Sequence, residues 1–210
     1  MFPLGTVLFP ELPLLLHVFE PRYRALVRDC LESDHEFGVV LITRGSEVGG
    51  GDQRASVGTV ARIEGARPLP DGRWVLATRG RQRISVLGWL PDDPYPCAMV
   101  RTDAEPPPPE PGSRPQQAWS SDMQRAESAV RRCRALLSEL GRSSALPPDL
   151  ALDDEPASAA WQLCGLSPVT AFDAQRLLEV EDIAQRMRLL MMFMDQLSDD
   201  LTRILGEAGS

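Results

Sequence analysis

VGTVARIEGA at 57–66 and RWVLATR at 73–79 stand on either side of Pro70-Asp71-Gly72. Both runs are rich in β-branched and apolar residues, and a Pro-Asp-Gly turn between two such runs predicts a hairpin. Gly80 punctuates, and RQRISVLGWL at 81–90 predicts the next strand, followed by YPCAMVRT at 95–102. Upstream, FGVVLITR at 37–44 predicts another. GTVLF at 5–9 and LLLHVF at 14–19 predict two short strands between prolines. Pro21 suits the first turn of a helix. Tyr23, Leu26, Val27, Cys30 and Leu31 then recur at the spacing of one buried helical stripe. The Gly-rich GSEVGGGD at 45–52 has no Lys and no helix behind it, so it reads as a strand connection and not as a phosphate cradle. Strands and helices do not alternate as a parallel α/β sheet requires. A small, mostly antiparallel β-barrel is the expected closure, because it removes exposed edges.

Beyond residue 104 the pattern changes. EPPPPEPGSRP at 105–115 favours extended polyproline geometry and marks a linker over 105–116. Trp119, Met123, Ala126, Val130, Cys133, Leu137 and Leu140 then alternate spacings of four and three, and Gly141 supplies the stop. Pro156 opens a short helix carrying Ala157, Ala160, Trp161 and Cys164. Thr170 and Asp173 have the spacing of a capping box. Ile183, Met187, Leu190, Met194, Leu197, Leu201 and Ile204 define a last helix from about Val180 to Leu205. The expected class is α+β. A barrel with one helix occupies 1–104, and an α-helical bundle occupies 117–210.

Composition narrows the function. The chain of 210 residues carries a net charge of −8, and all 22 of its cations are Arg. With no Lys, P-loop, Schiff-base and Ser-Lys chemistry are excluded. The first 104 residues hold 12 Arg against 13 acids; the remainder holds 10 against 17. An acidic chain repels phosphate backbones, so nucleic acid is not the expected partner. The only histidines, His17 and His35, show no metal-ligand spacing, and no Gly-x-Ser-x-Gly elbow proposes a nucleophile. No catalytic residue, metal or cofactor is expected. Cys30, Cys97, Cys133 and Cys164 are too far apart for a metal motif and read as free thiols of a reducing cytoplasm. The apolar N-terminus lacks a basic region before Arg22 and is broken by Pro10, Glu11 and Pro13, so no leader is expected. No apolar run is long enough to span a membrane.

Two stretches suggest surfaces. Arg62, Arg67, Arg73, Arg79, Arg81 and Arg83 form a basic strip that could meet RNA, or could be the outward face of a meander. Residues 189–194, with Met191 and Met192, are apolar all round. This fits a helix buried on several sides, or an adaptable binding or weak homodimer surface.

FPELPLLLHVFEPRYRALVRDCL at 9–31 resembles the opening of the Lon protease N-terminal, substrate-binding domain family. Its most specific string is Leu16-His17-Val18-Phe19-Glu20-Pro21-Arg22-Tyr23. Phe37-Gly38-Val39-Val40, GTVARI at 58–63, LPDG at 69–72 and GRQRISV at 80–86 follow in the family's order. Leu177-Leu178 and the long helix with Arg186-Met187 match more loosely. The resemblance implies a PUA-like barrel followed by a helical bundle, and a non-catalytic role in binding protein substrates or partners. Complete Lon enzymes continue into an ATPase and a Ser-Lys protease, so this chain reads as a stand-alone member without them. The expected ligand is an exposed apolar segment of another protein. Tyr23, Trp74 and Trp89 would offer aromatic contacts, with Met191 and Met192 on the helical side. Glu20, Arg22 and Arg83 are polar members of the matching motifs, and either join the binding surface or tie helix to barrel. RNA binding through the strip at 62–83 is the alternative.

Overall fold

The structure is a computed structural model that describes residues 1–45, 52–104 and 113–208. The Gly-rich connection and most of the proline-rich linker fall outside the described residues. The chain divides into two compact units, Met1–Glu105 and Pro106–Ser210.

The first unit is built on a six-stranded sheet: β1 (Phe2–Leu4), β2 (Pro13–Val18), β3 (Glu36–Arg44), β4 (Gln53–Pro68), β5 (Trp74–Trp89) and β6 (Ala98–Asp103). Helix α1 (Pro21–Leu31) follows β2. The strand order is β1-β3-β4-β5-β2, with β6 also on β5. Only β1–β3 is parallel; the other four pairings are antiparallel. The sheet is a curled half-barrel. Its curvature has a local cause: the β4–β5 register shifts between Thr59 and Ala61 and again between Ile63 and Gly65. Such bulges bend a strand and increase its twist.

The hairpin forms where the sequence predicts it. Arg73 ties its turn by donating both its amide and its Nε to Asp71, at 3.1 and 2.7 Å. Two expectations for this unit are corrected. Gly80 does not end a strand, and β5 runs unbroken from Trp74 to Trp89. Residues 5–9 are not a strand; the ladder uses Phe2–Leu4 instead. The reason is a crossing. The Thr59 hydroxyl donates to the Leu8 carbonyl at 2.6 Å, and the Glu11 amide donates to the Gly80 carbonyl at 2.9 Å. The Phe9 carbonyl lies where a Cβ on Gly80 would stand, only 2.2 Å away. This segment therefore crosses β5 at its glycine and buries Leu8 and Phe9, while its backbone bonds go to side chains and turns.

The core of the unit gathers Leu16 and Val18 of β2, Tyr23, Leu26 and Val27 of α1, and Phe37, Val39, Ala61, Ile63 and Leu76. These α1 positions are the stripe its spacing announces.

The second unit holds α2 (Arg114–Glu139), α3 (Pro156–Leu166), α4 (Ala171–Glu179) and α5 (Ile183–Ala208). The predicted cap of α4 is present: Thr170 accepts from the Asp173 amide and donates to its carboxylate. Past the end of α2, the Arg142 amide donates to the Leu137 carbonyl and the Gly141 amide to that of Ser138, the pattern of a Schellman stop. Trp161 is buried, and the wholly buried Arg186 guanidinium lies over its ring at 3.5 Å. Arg186 also donates to the Val180 carbonyl at 2.7 Å, holding the α4–α5 connection. No helix among the described residues is long and apolar enough to cross a membrane.

Candidate functional site

LLLHVF at 14–19 is apolar at nearly every position, whereas a strand solvated on one face should alternate. The structure buries only one of its faces. Leu16 and Val18 enter the core, but Leu15 and Phe19 stand 71% and 54% exposed, with His17 exposed between them. Strand β2 is one end of the sheet path and β1 is the other. Residues from both ends line a cleft of about 160 Å³: Phe2 and Leu4 from β1, Leu15, Leu16 and Val18 from β2, then Phe19, Glu20 and Tyr23. Exposed apolar side chains thus flank a hollow whose lining is mostly apolar residues, with His17 and Glu20 as its polar side chains.

One wall of the cleft is a stack. Tyr23 lies flat against Phe2, with ring centroids 4.1 Å apart and planes 10° apart. The Arg22 guanidinium lies over the Tyr23 ring at 4.5 Å, and its Nε donates to Glu20 at 3.1 Å. Glu20 and Arg22 therefore neutralise each other at the rim. Burial pushes the Tyr23 phenol up to about 12.

A second group of exposed apolar residues lies at the far end of β5 and on β6: Leu87, Trp89, Leu90, Met99 and Val100. The Arg54 guanidinium sits over the Trp89 ring at 4.5 Å and donates to Asp52 and Asp92, at 2.7 and 2.9 Å. Burial alone would weaken the hold of Arg54 on its proton, but these carboxylates outweigh it and tighten that hold.

The other sequence-chosen residues are scattered. Trp74 is half-buried against the core. Arg83 is buried and pairs in register with Asp103. Met191 is buried and Met192 is 42% exposed. Met191 lines a groove of about 350 Å³ with polar residues of α2, Gln124, Arg125 and Arg132 among them. The basic strip is partly neutralised: Arg62 meets Glu36 at 3.7 Å, Arg73 meets Asp71 at 2.7 Å and Arg79 meets Glu64 at 2.9 Å. Only Glu20, Arg22 and Tyr23 of the chosen residues come together at the cleft. Leu15 and Phe19 are not among the residues expected to bind. The signal that could have found them is the missing alternation of 14–19.

Among the described residues, no three His, Cys, Asp or Glu side chains converge as a metal site. All four cysteines are free, and burial pushes the Cys30 thiol up to about 11, away from the reactive thiolate. Apolar contact is what this arrangement offers.

The chain is thus an α+β protein, with a curled half-barrel and a cleft between the ends of its sheet in one unit, and helices in the other. It belongs to the ATP-dependent protease La (LON) substrate-binding domain family, whose model matches residues 1–196. The chain is similar to the Lon N-terminal domain protein from Xanthomonas campestris, with 29% identity and a TM-score of 0.63 over 92% of this chain and 96% of that one. The N-terminal domain of the Mycobacterium avium complex Lon protease shares the fold, at 19% identity and a TM-score of 0.58 over 92% of this chain and 96% of that one. Among curated sequences, Lon protease 2 of Herpetosiphon aurantiacus is 29% identical over 94% of this chain. A LON peptidase N-terminal domain and RING finger protein of Schizosaccharomyces pombe is 22% identical over 98% of it. The chain spans 23% and 46% of the lengths of these two relatives.

Proposed function

We propose that this protein binds exposed apolar segments of other polypeptides, as a recognition element and without chemistry of its own. The observation that carries this reading is the cleft between the ends of the sheet, with Leu15 and Phe19 exposed beside it. Family membership supports a protein substrate. Four free thiols fit a reducing compartment, and the cytoplasm is the proposed location. The partial pairing of the Arg strip speaks against RNA as the principal ligand.

The test is a titration of the full chain with a reduced, carboxymethylated and therefore unfolded protein, read by fluorescence anisotropy. Saturable binding that Leu15→Asp weakens about ten-fold is the expected result. An absence of saturation, with salt-sensitive retention of a single-stranded RNA instead, would replace this reading with the nucleic-acid one.

A further inference from the structure

Strand β2 spends one edge on β5, pairing from Pro13↔Arg79 to Val18↔Trp74. In an antiparallel pair, successive residues turn their N–H and C=O groups to opposite sides. Alternate residues of β2 therefore aim their backbone groups away from β5, and among the described residues no strand takes that edge. An unpaired edge beside an apolar cleft is complementary to one kind of occupant, an extended backbone.

Resting on the binding reading above, we infer that the recognised segment binds as an added strand on the free edge of β2, laying alternate apolar side chains into the cleft. Its length follows from β2, which has six residues. Its pattern follows from the pleat. Side chains opposite Leu16 and Val18 turn inward, toward Phe2, Leu4 and Tyr23; side chains opposite Leu15 and His17 turn outward. The cleft of about 160 Å³ takes a side chain or two, and excludes a helix with a diameter of ~10 Å. With Glu20 and Arg22 paired to each other, the cleft favours uncharged inward side chains. The topology ties either direction of the segment to both end strands. β2 is antiparallel to β5, β5 to β4 and β4 to β3, while β1 is parallel to β3. β1 and β2 thus run in opposite senses, and a segment antiparallel to β2 lies parallel to β1. Proline at a position whose amide faces β2 removes a donor and is excluded; at the alternate positions it is tolerated.

The experiment uses the full chain and a fluorescein-labelled peptide that alternates Val or Leu with Thr. Two further versions carry N-methyl groups on one or the other alternate set of backbone amides. The unfolded carboxymethylated protein is titrated in parallel. The expected result is a loss of at least ten-fold in affinity for one methylated set and less than three-fold for the other. Amide exchange within Pro13–Val18 should slow when the unmodified peptide is bound. Equal binding of all three peptides, still weakened by Leu15→Asp, overturns strand addition and leaves apolar recognition standing. Leu15-dependent binding of the unfolded protein with no binding of any peptide also overturns strand addition. Failure of both peptide and unfolded protein to bind overturns the binding reading itself.

Discussion

The two units treat their apolar residues differently. Among the described residues of the helical unit, three large apolar side chains are exposed, spread along two helices: Phe172 on α4, with Met192 and Ile204 twelve residues apart on α5. In the sheet unit they gather, Leu15 and Phe19 beside one cleft and Leu87, Trp89, Leu90, Met99 and Val100 around the end of β5. Scattered exposure is ordinary for any surface, whereas a gathered patch marks an interaction site. The lesson is geometric. A helical stripe at 3.6-residue spacing coincides with one buried face, so apolar residues on the stripe are covered by the bundle. A strand at the end of an open sheet has one buried face and one free edge, and β2 is apolar on both of its faces.

The comparison is most exposed to failure at Trp161. Trp161→Ala removes a buried ring and strips the Arg186 guanidinium of its aromatic face, so a loss of about 3–5 kcal/mol is expected in urea unfolding followed by circular dichroism. A loss below about 1 kcal/mol would mean that the helical unit is not held by this packing. Next are two glycines with opposite surroundings. Gly80→Ala drives a Cβ onto the Phe9 carbonyl and should cost about 1–3 kcal/mol. Gly141→Ala meets no atom within 4 Å, and only its φ of 67° opposes it, so about 1 kcal/mol is expected. Equal costs in denaturant melts would remove the distinction between a close crossing and a helix stop.

Leu15→Asp should leave stability within about 0.5 kcal/mol, because the side chain is exposed. It should nonetheless weaken binding of unfolded protein about ten-fold, while Met192→Gln leaves that binding unchanged. The reverse pattern would move the site to the helical unit.

Acid tests the sheet unit through two carboxyls. Burial alone would raise Asp52, but its hydrogen bond from Arg54 and the nearby positive charges hold it below the usual range. Asp103 behaves alike: burial opposes, and hydrogen bonds from Ser85 and Arg101 prevail. A folded-state value below the unfolded one, about 3.9, contributes stability at higher pH that is lost as pH falls through 4 and lower. Tm should decline over that window, and Asp52→Asn with Asp103→Asn should flatten the decline. A wild-type Tm constant down to pH 2.5 would contradict this.

The smallest effect is spectroscopic. The chain has two tyrosines. Burial raises Tyr23 to about 12. The hydrogen bond that Tyr95 donates to Asp29 at 2.6 Å, aided by burial, raises Tyr95 well above its ordinary value. Stability from a raised phenol is complete below about pH 10 and is lost as pH rises further. Phenolate absorbance should therefore stay flat through pH 10.5; an onset near the ordinary value that persists in Tyr95→Phe would show that Tyr23 is not stacked in the core.

Much of the fold was readable along the chain. The hairpin at Pro70-Asp71-Gly72, the α1 stripe and the Thr170 cap depend on residues close in sequence, and each forms as its local pattern requires. Residues 5–9 carried the same β pattern and do not pair, because Gly80, about seventy residues later, admits the Phe9 carbonyl at a crossing. The lining of the cleft is legible only in part: Glu20 and Tyr23 belong to the matching motif and line it, and Arg22 lies over the Tyr23 ring. Met191 was chosen from apolar crowding and is buried, because the face it occupies is covered by the bundle.

The sequence by itself determined the α+β class, the helical stripes and the absence of Lys-dependent chemistry, since these depend on residue type and local period. Tertiary structure alone decided that β1 and β2 are the two ends of one sheet and that the cleft lies between them. That outcome rests on strand order, and strand order depends on pairings between residues far apart in the chain, such as Phe2↔Val39 and Leu16↔Leu76. No local pattern encodes which edge stays free.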